Sequence, residues 1–196
     1  MKFVPTYIPD VVIIEPQVFG DERGYFMESF RSDLFARQIP GVQFIQDNES
    51  MSIRGVLRGL HYQLPPFAQA KLVRAVTGRV LDVAVDIRKA SPTFGRHVSL
   101  ELSGTNKRQL FIPRGFAHGF VVLSEQAVFQ YKVDNLYSKE HERGIAFDDP
   151  ELGIDWGLPG EERILSDKDR ANQRLQDAEV FEFHCISDKD IQRQAR

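Results

Sequence analysis

Hydrophobic and polar residues alternate over short stretches along most of the chain, and Gly, Pro, Asn and Asp stand at the breaks. A period of two is typical of antiparallel strands that bury one face. The stretches that follow this pattern are 56–63, 96–103, 109–113, 119–123 and 127–137. In addition, residues 71–88 are expected to form a hairpin that turns at Thr77 and Gly78. This spacing of short strands predicts an all-β sandwich or barrel.

Two segments depart from the strand pattern and predict short helices. Residues 32–41 begin with Ser32, a residue type that caps helices, and stop at Pro40. Residues 166–179 have a helix-forming composition, and the spacing of their first Ser and second Asp is that of a capping box. Both helices are therefore expected to start at a serine.

No internal repeat, low-complexity tract or linker divides the chain. We therefore expect one domain over residues 1–196, with one further strand in 181–196 and a peripheral polar tail from about residue 180. A hydrophobic fraction of 42% with 15 Phe can fill the core of such a domain.

Charge and cysteine content narrow the range of partners. A net charge of -3 gives no bulk attraction to nucleic acid or to a membrane surface, so a small-molecule partner is expected. Cys185 is the only cysteine, the N-terminus lacks the apolar segment of a signal peptide, and no apolar run is long enough to span a bilayer. These features predict a cytoplasmic protein.

The stretch VLRGLHYQ (56–63) places polar side chains inside a predicted strand, where they are costly unless paired or used. In metal-binding cupins, a jelly-roll class, the first motif is Gly, five residues, His, any residue, His, followed by a Glu. Gly55 and His61 fit this motif, but Gln63 stands at the second His position. The second motif, Pro-x-Gly-x-x-His, ends here at His118.

Two of the usual four ligands thus remain, whereas a catalytic zinc or iron normally has at least three from the protein. The pattern predicts a jelly-roll barrel that works without a metal.

His61 is then a candidate general base, because an unperturbed imidazole exchanges protons near neutral pH. Lys71 is placed to stabilise a developing oxyanion, and Tyr131, on a later strand, is a candidate acid for the opposite side of a stereocentre. This set of groups suits proton abstraction beside a carbonyl. A carboxylate partner for His61 is expected, and Asp169, Asp167, Asp82 and Asp86 all remain candidates.

Seven blocks of the sequence resemble the dTDP-4-dehydrorhamnose 3,5-epimerase family. They are FGDERGYFMESF (19–30), QDNES (46–50), GVLRGLHYQ (55–63), KLVR (71–74), DVAVDIRKASPTFG (82–95), NKRQLFIPRGFAHGF (106–120) and ILSDKD (164–169). The resemblance implies a cofactor-free, dimeric jelly roll of the cupin class. It also implies conversion of dTDP-4-dehydro-6-deoxy-D-glucose to dTDP-4-dehydro-L-rhamnose.

The resemblance further implies roles for single residues. His61 is the base paired with Asp169, Lys71 lies near the C4 oxygen of the sugar, and Tyr131 is the acid. Tyr137 is the ring on which thymine stacks. The implied substrate contacts, some of which cross the dimer interface in the family, are Arg23, Glu28, Gln46, Asp47, Asn48, Arg58, His118, Tyr137, Glu142 and Lys168.

Three alternatives remain open at this point. Related epimerases invert only C3 or only C5, and no single residue here excludes them. A metal-dependent cupin oxygenase needs a third ligand. A sugar-binding cupin without chemistry would keep the Arg and Tyr contacts but would not exchange substrate protons.

Overall fold

The computed structural model describes residues 1–182, which form fifteen strands, two short α-helices and two 3-10 turns. The strands are β1 (Lys2–Pro5), β2 (Val12–Glu15), β3 (Val18–Asp21), β4 (Gly24–Met27), β5 (Gln46–Ile53), β6 (Leu57–Gln63), β7 (Lys71–Thr77), β8 (Arg79–Asp86), β9 (Arg88–Lys89), β10 (His97–Ser103), β11 (Gln109–Ile112), β12 (Phe116–Val122), β13 (Gln126–Val133), β14 (Glu142–Gly144) and β15 (Phe181–Glu182). The helices are α1 (Ser32–Gln38) and α2 (Asp167–Arg170), and the 3-10 turns are Gly160–Glu162 and Leu175–Asp177.

Most strands belong to two antiparallel sheets that pack face to face. The larger sheet has the order β1-β2-β11-β7-β13-β5, and the smaller has the order β10-β8-β12-β6-β14. Two small pairs stand apart from them: the antiparallel hairpin β3–β4 and the parallel pair β9–β15. The predicted all-β jelly-roll fold is confirmed.

The core between the sheets is made by inward-facing residues of both. Val73 and Phe129 of the larger sheet meet Val80, Ala84 and Phe120 of the smaller one, and all five are at least 95% buried. Burial of such side chains contributes roughly 1.5–3 kcal/mol each for the larger ones. This layer fixes the two sheets relative to each other and so positions the side chains at its edge.

The outer face of each sheet is also covered. Trp156 and Leu152, from the segment after β14, pack on Leu57 and Val83 of the smaller sheet. On the larger sheet, Phe35 of α1 covers the outer face. Polar side chains that point between the sheets therefore lie in a space with apolar walls.

The predicted hairpin at 71–88 is wrong, although both of its strands exist. β7 pairs with β11 and β13 in the larger sheet, whereas β8 pairs with β10 and β12 in the smaller one. The turn at Thr77 and Gly78 carries the chain from one sheet to the other. Gly78 has φ +73, and a Cβ there would lie 2.1 Å from the carbonyl oxygen of Gln126, so the crossing depends on glycine.

The two helices form where expected, but their starts and lengths differ from prediction. Arg31 occupies the N-cap of α1 without a side-chain cap bond, and Ser32 is the first helical residue. Ser166 does cap α2, but this helix ends at Arg170 because the chain then extends to form a bridge between Ile145 and Gln173.

Within residues 1–182, no helix is both long enough and apolar enough to cross a membrane. The strand predicted in 181–196 begins at Phe181, and the rest of that segment, including Cys185, lies outside the described residues.

Candidate active site

A cavity of about 220 Å³ opens between the two sheets, beside the shared core. Five strands contribute to it. Its lining residues are Glu49 and Ser50 from β5, Arg58 and His61 from β6, Lys71 from β7, His118 and Phe120 from β12, and Phe129 and Tyr131 from β13. The cavity thus brings together His61, Lys71 and Tyr131, which the sequence predicted to act as one group.

An irregularity in β6 allows this strand to supply two cavity residues. The register between β6 and β12 shifts between His118 and Phe120. Gly59 lies opposite this shift with φ +135, and a Cβ on it would be 2.5 Å from the Cα of Gly119. As a result Arg58 and His61 both face the cavity, which strict alternation along a strand would not permit.

His61 is held by a carboxylate that is 108 residues away in the sequence. Its Nε2 lies 2.5 Å from Oδ1 of Asp169, and the other carboxylate oxygen accepts a 2.8 Å hydrogen bond from the Ser166 hydroxyl. Asp169 is buried, which opposes its ionisation, but the bond to His61, the bond to Ser166 and the charge of Lys168 outweigh this, so its pKa is lowered. A charged carboxylate on Nε2 orients the imidazole and stabilises its protonated form.

The structure therefore decides among the four carboxylates considered for His61. Asp86 binds Arg88, Ser91 and Thr93, and Asp82 binds His118. Asp169 is the partner, and its backbone N–H also donates to the Ser166 hydroxyl that caps α2.

Lys71 lies at the side of the cavity formed by β7. Its Nζ donates a 3.5 Å hydrogen bond to the carbonyl oxygen of His61. Burial lowers the pKa of Lys71 from 10.5 to about 8, although the charges of Asp82 and Glu142 act in the opposite direction. A lysine of this kind is still largely protonated at pH 7 and can stabilise negative charge on a nearby oxygen.

Tyr131 belongs to the larger sheet and His61 to the smaller one, so the two line opposite walls of the cavity. Burial raises the pKa of the Tyr131 hydroxyl; the nearby positive charge of Arg58 opposes this and the negative charge of Glu142 adds to it. The hydroxyl therefore keeps its proton at neutral pH, as a general acid must.

His118 is the polar side chain that β12 contributes to the cavity lining, and it is buried. Its Nε2 lies 2.9 Å from Oδ2 of Asp82, which is fully buried on β8. Burial is the main reason that the pKa of His118 is lowered, and the positive charges of Lys71 and His61 lower it further, against the pull of Asp82. The ring is consequently neutral at pH 7.

Three residues from the list of predicted substrate contacts form a connected group near His61. The Tyr137 hydroxyl donates to Oε2 of Glu142 at 2.8 Å, and Lys168 lies 2.5 Å from Oε1 of the same carboxylate. Burial opposes ionisation of Glu142, but these two neighbours lower its pKa. The ring of Tyr137 is 58% exposed and so is available for stacking.

β5 separates the next three predicted contacts onto two faces. Gln46 and Asn48 are partly buried, bond to each other at 2.8 Å, and lie on the same face of the sheet as Tyr131, whose register partner is Asn48. Asp47 lies on the opposite face and pairs with Lys132 at 2.7 Å. The structure therefore does not bring Asp47 to the cavity.

Arg58 presents an exposed guanidinium near the entrance of the cavity. Its Nε and Nη2 both donate to the Ser52 hydroxyl, at 3.2 and 3.1 Å. Arg23 and Glu28 lie elsewhere. Arg23 is in the β3–β4 hairpin, ion-paired with Asp21, and Glu28 lies 3.8 Å from Arg31.

Several cavity residues were not identified from the sequence. Ser50 lines the cavity, Ser52 on the same face of β5 accepts from Arg58, and Phe120 and Phe129 form an apolar wall with ring centroids 4.2 Å apart. The alternation of residues along β5 places the serines on one face of the strand. It does not show which face is inward, because Met51 and Ile53 are apolar and yet lie on the exposed face.

Among residues 1–182, no three His, Cys, Asp or Glu side chains are close enough together to hold a metal ion. His61 and His118 share the cavity, but each is bonded through Nε2 to its own aspartate.

The chain is similar to known proteins over nearly its whole length. The family model described as dTDP-4-dehydrorhamnose 3,5-epimerase matches residues 5–177. A dTDP-4-dehydrorhamnose 3,5-epimerase from Shigella flexneri is 58% identical over 182 residues, covering 92% of this chain and 99% of that protein.

Solved structures agree with this. A dTDP-6-deoxy-D-glucose-3,5-epimerase from Legionella pneumophila, in complex with dTDP-4-keto-L-rhamnose, superposes with a TM-score of 0.90 at 48% identity, over 94% of this chain and 99% of that one. A 3'-monoepimerase from Streptomyces bikiniensis, in complex with dTDP-quinovose, has a TM-score of 0.84 at 32% identity, over 97% and 96%. The chain therefore belongs to the dTDP-4-dehydrorhamnose 3,5-epimerase family and is an isomerase with the cupin jelly-roll fold.

Proposed function

We propose that the cavity between the two sheets is where this epimerase inverts C3 and C5 of dTDP-4-dehydro-6-deoxy-D-glucose, giving dTDP-4-dehydro-L-rhamnose for dTDP-L-rhamnose biosynthesis. The observation that carries the assignment of roles is the position of His61 and Tyr131 on opposite walls of the cavity, with Lys71 on β7, the strand next to that of Tyr131, bonded to the carbonyl oxygen of His61. Inversion requires a proton to leave one face of the sugar and another to arrive on the opposite face. The two walls provide a base and an acid on those two sides.

In the first step His61 takes the proton from C3 or C5. The electrons of the C–H bond form an enolate, whose charge lies on the C4 oxygen, where the ammonium of Lys71 stabilises it. Tyr131 then protonates the same carbon from the other side. His61 gives up its proton and Tyr131 regains one through solvent, so the product is an isomer of the substrate and the second centre follows by the same route.

The nucleotide half of the substrate has a matching set of groups at the entrance. The exposed ring of Tyr137 offers a face for thymine, where stacking contributes roughly 1–3 kcal/mol in other systems. The free N–H groups of Arg58 suit the diphosphate, because a guanidinium donates two parallel hydrogen bonds. Gln46, Asn48, Glu142 and Lys168 remain predicted contacts of the sugar and the base.

We also propose a homodimer, in which the β3–β4 hairpin of one subunit reaches the cavity of the other. Arg23 and Glu28 are predicted substrate contacts, yet they lie away from the cavity of their own chain. A partner's hairpin would supply them. The single domain over residues 1–196 and the cytoplasmic location stay predictions from the sequence.

Proton exchange in heavy water tests the reaction and its base together. The protein is incubated with the dTDP-4-keto sugar in D₂O, and C3 and C5 are followed by NMR. We expect deuterium at both carbons, no loss of exchange with EDTA, and near-complete loss in His61→Ala. His97→Ala, on β10 and outside the cavity, is the matched control and is expected to retain exchange.

Other outcomes would change the proposal in defined ways. Deuterium at only one carbon would indicate an enzyme that inverts a single centre. Exchange that continues unchanged in His61→Ala would show that another group is the base. Binding of the nucleotide sugar without any exchange would indicate a sugar-binding protein.

A further inference from the structure

The roles proposed above give no function to a buried carboxylate that is bonded to the cavity residue His118. Asp82 on β8 is fully buried, and it faces the space between the sheets together with Val80 and Ala84. One carboxylate oxygen, Oδ2, is bonded to His118 at 2.9 Å. The other, Oδ1, is buried and has no hydrogen-bond partner among residues 1–182.

A buried carboxylate oxygen without a hydrogen bond is costly, and such groups are rare in folded proteins. An apolar residue of similar size would fit the surrounding core at a lower cost. The position therefore calls for an explanation other than stability, and the two titratable side chains beside Asp82 supply one. The negative charge of Asp82 acts on Lys71 and on His118, both of which line the cavity.

We propose that Asp82 is a positioning residue for the epimerisation: it fixes the His118 ring in the cavity wall and stabilises the ammonium group of Lys71. This inference rests on the proposed role of Lys71 at the C4 oxygen. The negative charge of Asp82 favours the protonated form of Lys71. Burial alone would favour a neutral lysine, which cannot stabilise an enolate oxygen well.

Other charges also act on Lys71 and must be considered beside Asp82. Glu142 is the second anion that favours the charged lysine. The remaining titratable groups around the cavity and its rim are Glu49 of β5, Arg58 and His61 of β6, His118 of β12, Tyr131 of β13, and Lys168 and Asp169 of α2. Asp82 differs from all of them because it is the only fully buried anion in this set.

The pH dependence of kcat separates this role from a structural one. Asp82→Asn keeps an amide oxygen that accepts the bond from His118 Nε2 but removes the charge. In the unaltered enzyme, activity is expected to fall as pH rises through about 8, where Lys71 loses its proton. In Asp82→Asn this alkaline fall is expected roughly one pH unit lower, with rates within about threefold of the unaltered enzyme at pH 6.

Asp86→Asn is the matched control, because Asp86 is a fully buried carboxylate on the same face of β8 that binds Arg88, Ser91 and Thr93 instead. It is expected to lower the melting temperature without moving the alkaline fall. If Asp82→Asn has the unaltered pH profile while the unaltered enzyme exchanges C3 and C5 protons, the role of Asp82 is overturned and the proposed function stands. If the unaltered enzyme exchanges neither proton, the proposed function itself fails.

A second variant covers the case in which Asp82→Asn does not fold. Lys71→Met combined with Asp82→Asn removes both charges, and recovery of a folded protein is then expected because no buried ammonium is left without its anion. Equal loss of folding in the single and double variants would show that Asp82 does not act through Lys71, and would overturn the inference.

Discussion

In the proposed reaction, proton abstraction depends most directly on the bond between His61 and Asp169. Asp169→Asn removes the negative charge and places an amide next to Nε2 of His61. Without the carboxylate the imidazolium is less stable and the tautomer is no longer fixed, so we expect kcat to fall roughly 10²- to 10⁴-fold. Steady-state kinetics on the dTDP-4-keto sugar would measure this, with KM changing less than kcat.

Asp167→Asn is the control for that change, because Asp167 is an exposed carboxylate in the same first turn of α2. It is expected to keep kcat within about twofold. An Asp169→Asn enzyme with the unaltered kcat would show that His61 does not need a carboxylate.

Lys71 illustrates how a functional group can oppose stability. A pKa lowered from 10.5 to about 8 corresponds to a cost of roughly 3 kcal/mol for carrying the charge into the fold. Lys71→Met removes that charge and fills a similar volume, so we expect a more stable but inactive protein. Urea unfolding would measure the gain, with up to about 3 kcal/mol expected.

The pH at which unfolding is measured matters for this comparison. Below pH 8 the lysine is protonated in both the folded and the unfolded chain, so the full cost is present. Between about pH 8 and 10.5 the folded protein releases its proton while the unfolded chain keeps it, so the stability of the unaltered enzyme rises. The advantage of Lys71→Met is therefore expected to be largest below pH 8 and to disappear above 10.5. An advantage that does not depend on pH would show that the ammonium is not buried.

The close contact between β6 and β12 is what turns both Arg58 and His61 toward the cavity. Gly59→Ala introduces a Cβ 2.5 Å from the Cα of Gly119 at a backbone angle, φ +135, that L side chains rarely adopt. We expect a loss of more than about 2 kcal/mol of stability together with a large loss of activity. Thermal unfolding and kinetics on the same preparation would measure both.

Gly24→Ala is the matched control, since Gly24 has nearly the same angle, φ +136, but nothing within 4 Å of the added Cβ. It carries the backbone strain without the clash between strands. Similar losses of stability in both variants would mean that the strands β6 and β12 can separate at little cost.

The strands themselves could be predicted from the sequence because alternation is a local property. β6, β10, β11, β12 and β13 all lie within or overlap their predicted ranges. Pairing is not local, and the turn at Thr77 and Gly78 has the composition of a hairpin turn although it connects two different sheets. The length of α2 was overestimated for a related reason, since the bridge between Ile145 and Gln173 ends the helix.

The same limit applies to the site. The spacing of the cupin motifs and the resemblance of seven sequence blocks to the family were enough to identify His61, Lys71 and Tyr131. The structure brings these three residues together. The residues alone could not choose Asp169 over Asp167, Asp82 or Asp86, because its partner is 108 positions away. The second pair, His118 with Asp82, becomes visible only once β8 and β12 are adjacent.

The described part of the chain exposes large apolar side chains on β5 and on the β3–β4 hairpin. β5 is one of the two edge strands of the larger sheet, and it presents Met51 and Ile53 at 59% and 56% exposure. The β3–β4 hairpin adds Phe19 and Phe26 at 54% and 65%. Exposed edge strands and exposed apolar side chains are typical of interaction surfaces, and in the proposed homodimer a second copy of the chain would cover them and receive Arg23 from the hairpin.

Ile53→Asp places a charge at the end of β5 and is expected to convert the protein to monomers, because a buried unpaired carboxylate opposes association. Sedimentation velocity would show a mass of 22.5 kDa in place of twice that value. Tyr7→Ser is the control, since Tyr7 is 66% exposed and follows β1, at the opposite edge of the same sheet.

If Arg23 acts in the partner's cavity, the monomer should also lose affinity for the nucleotide sugar. Mixing the Ile53→Asp chain with an inactive His61→Ala chain should not restore that affinity. A protein that sediments as a monomer before any substitution, with full activity, would show that each chain completes its own site.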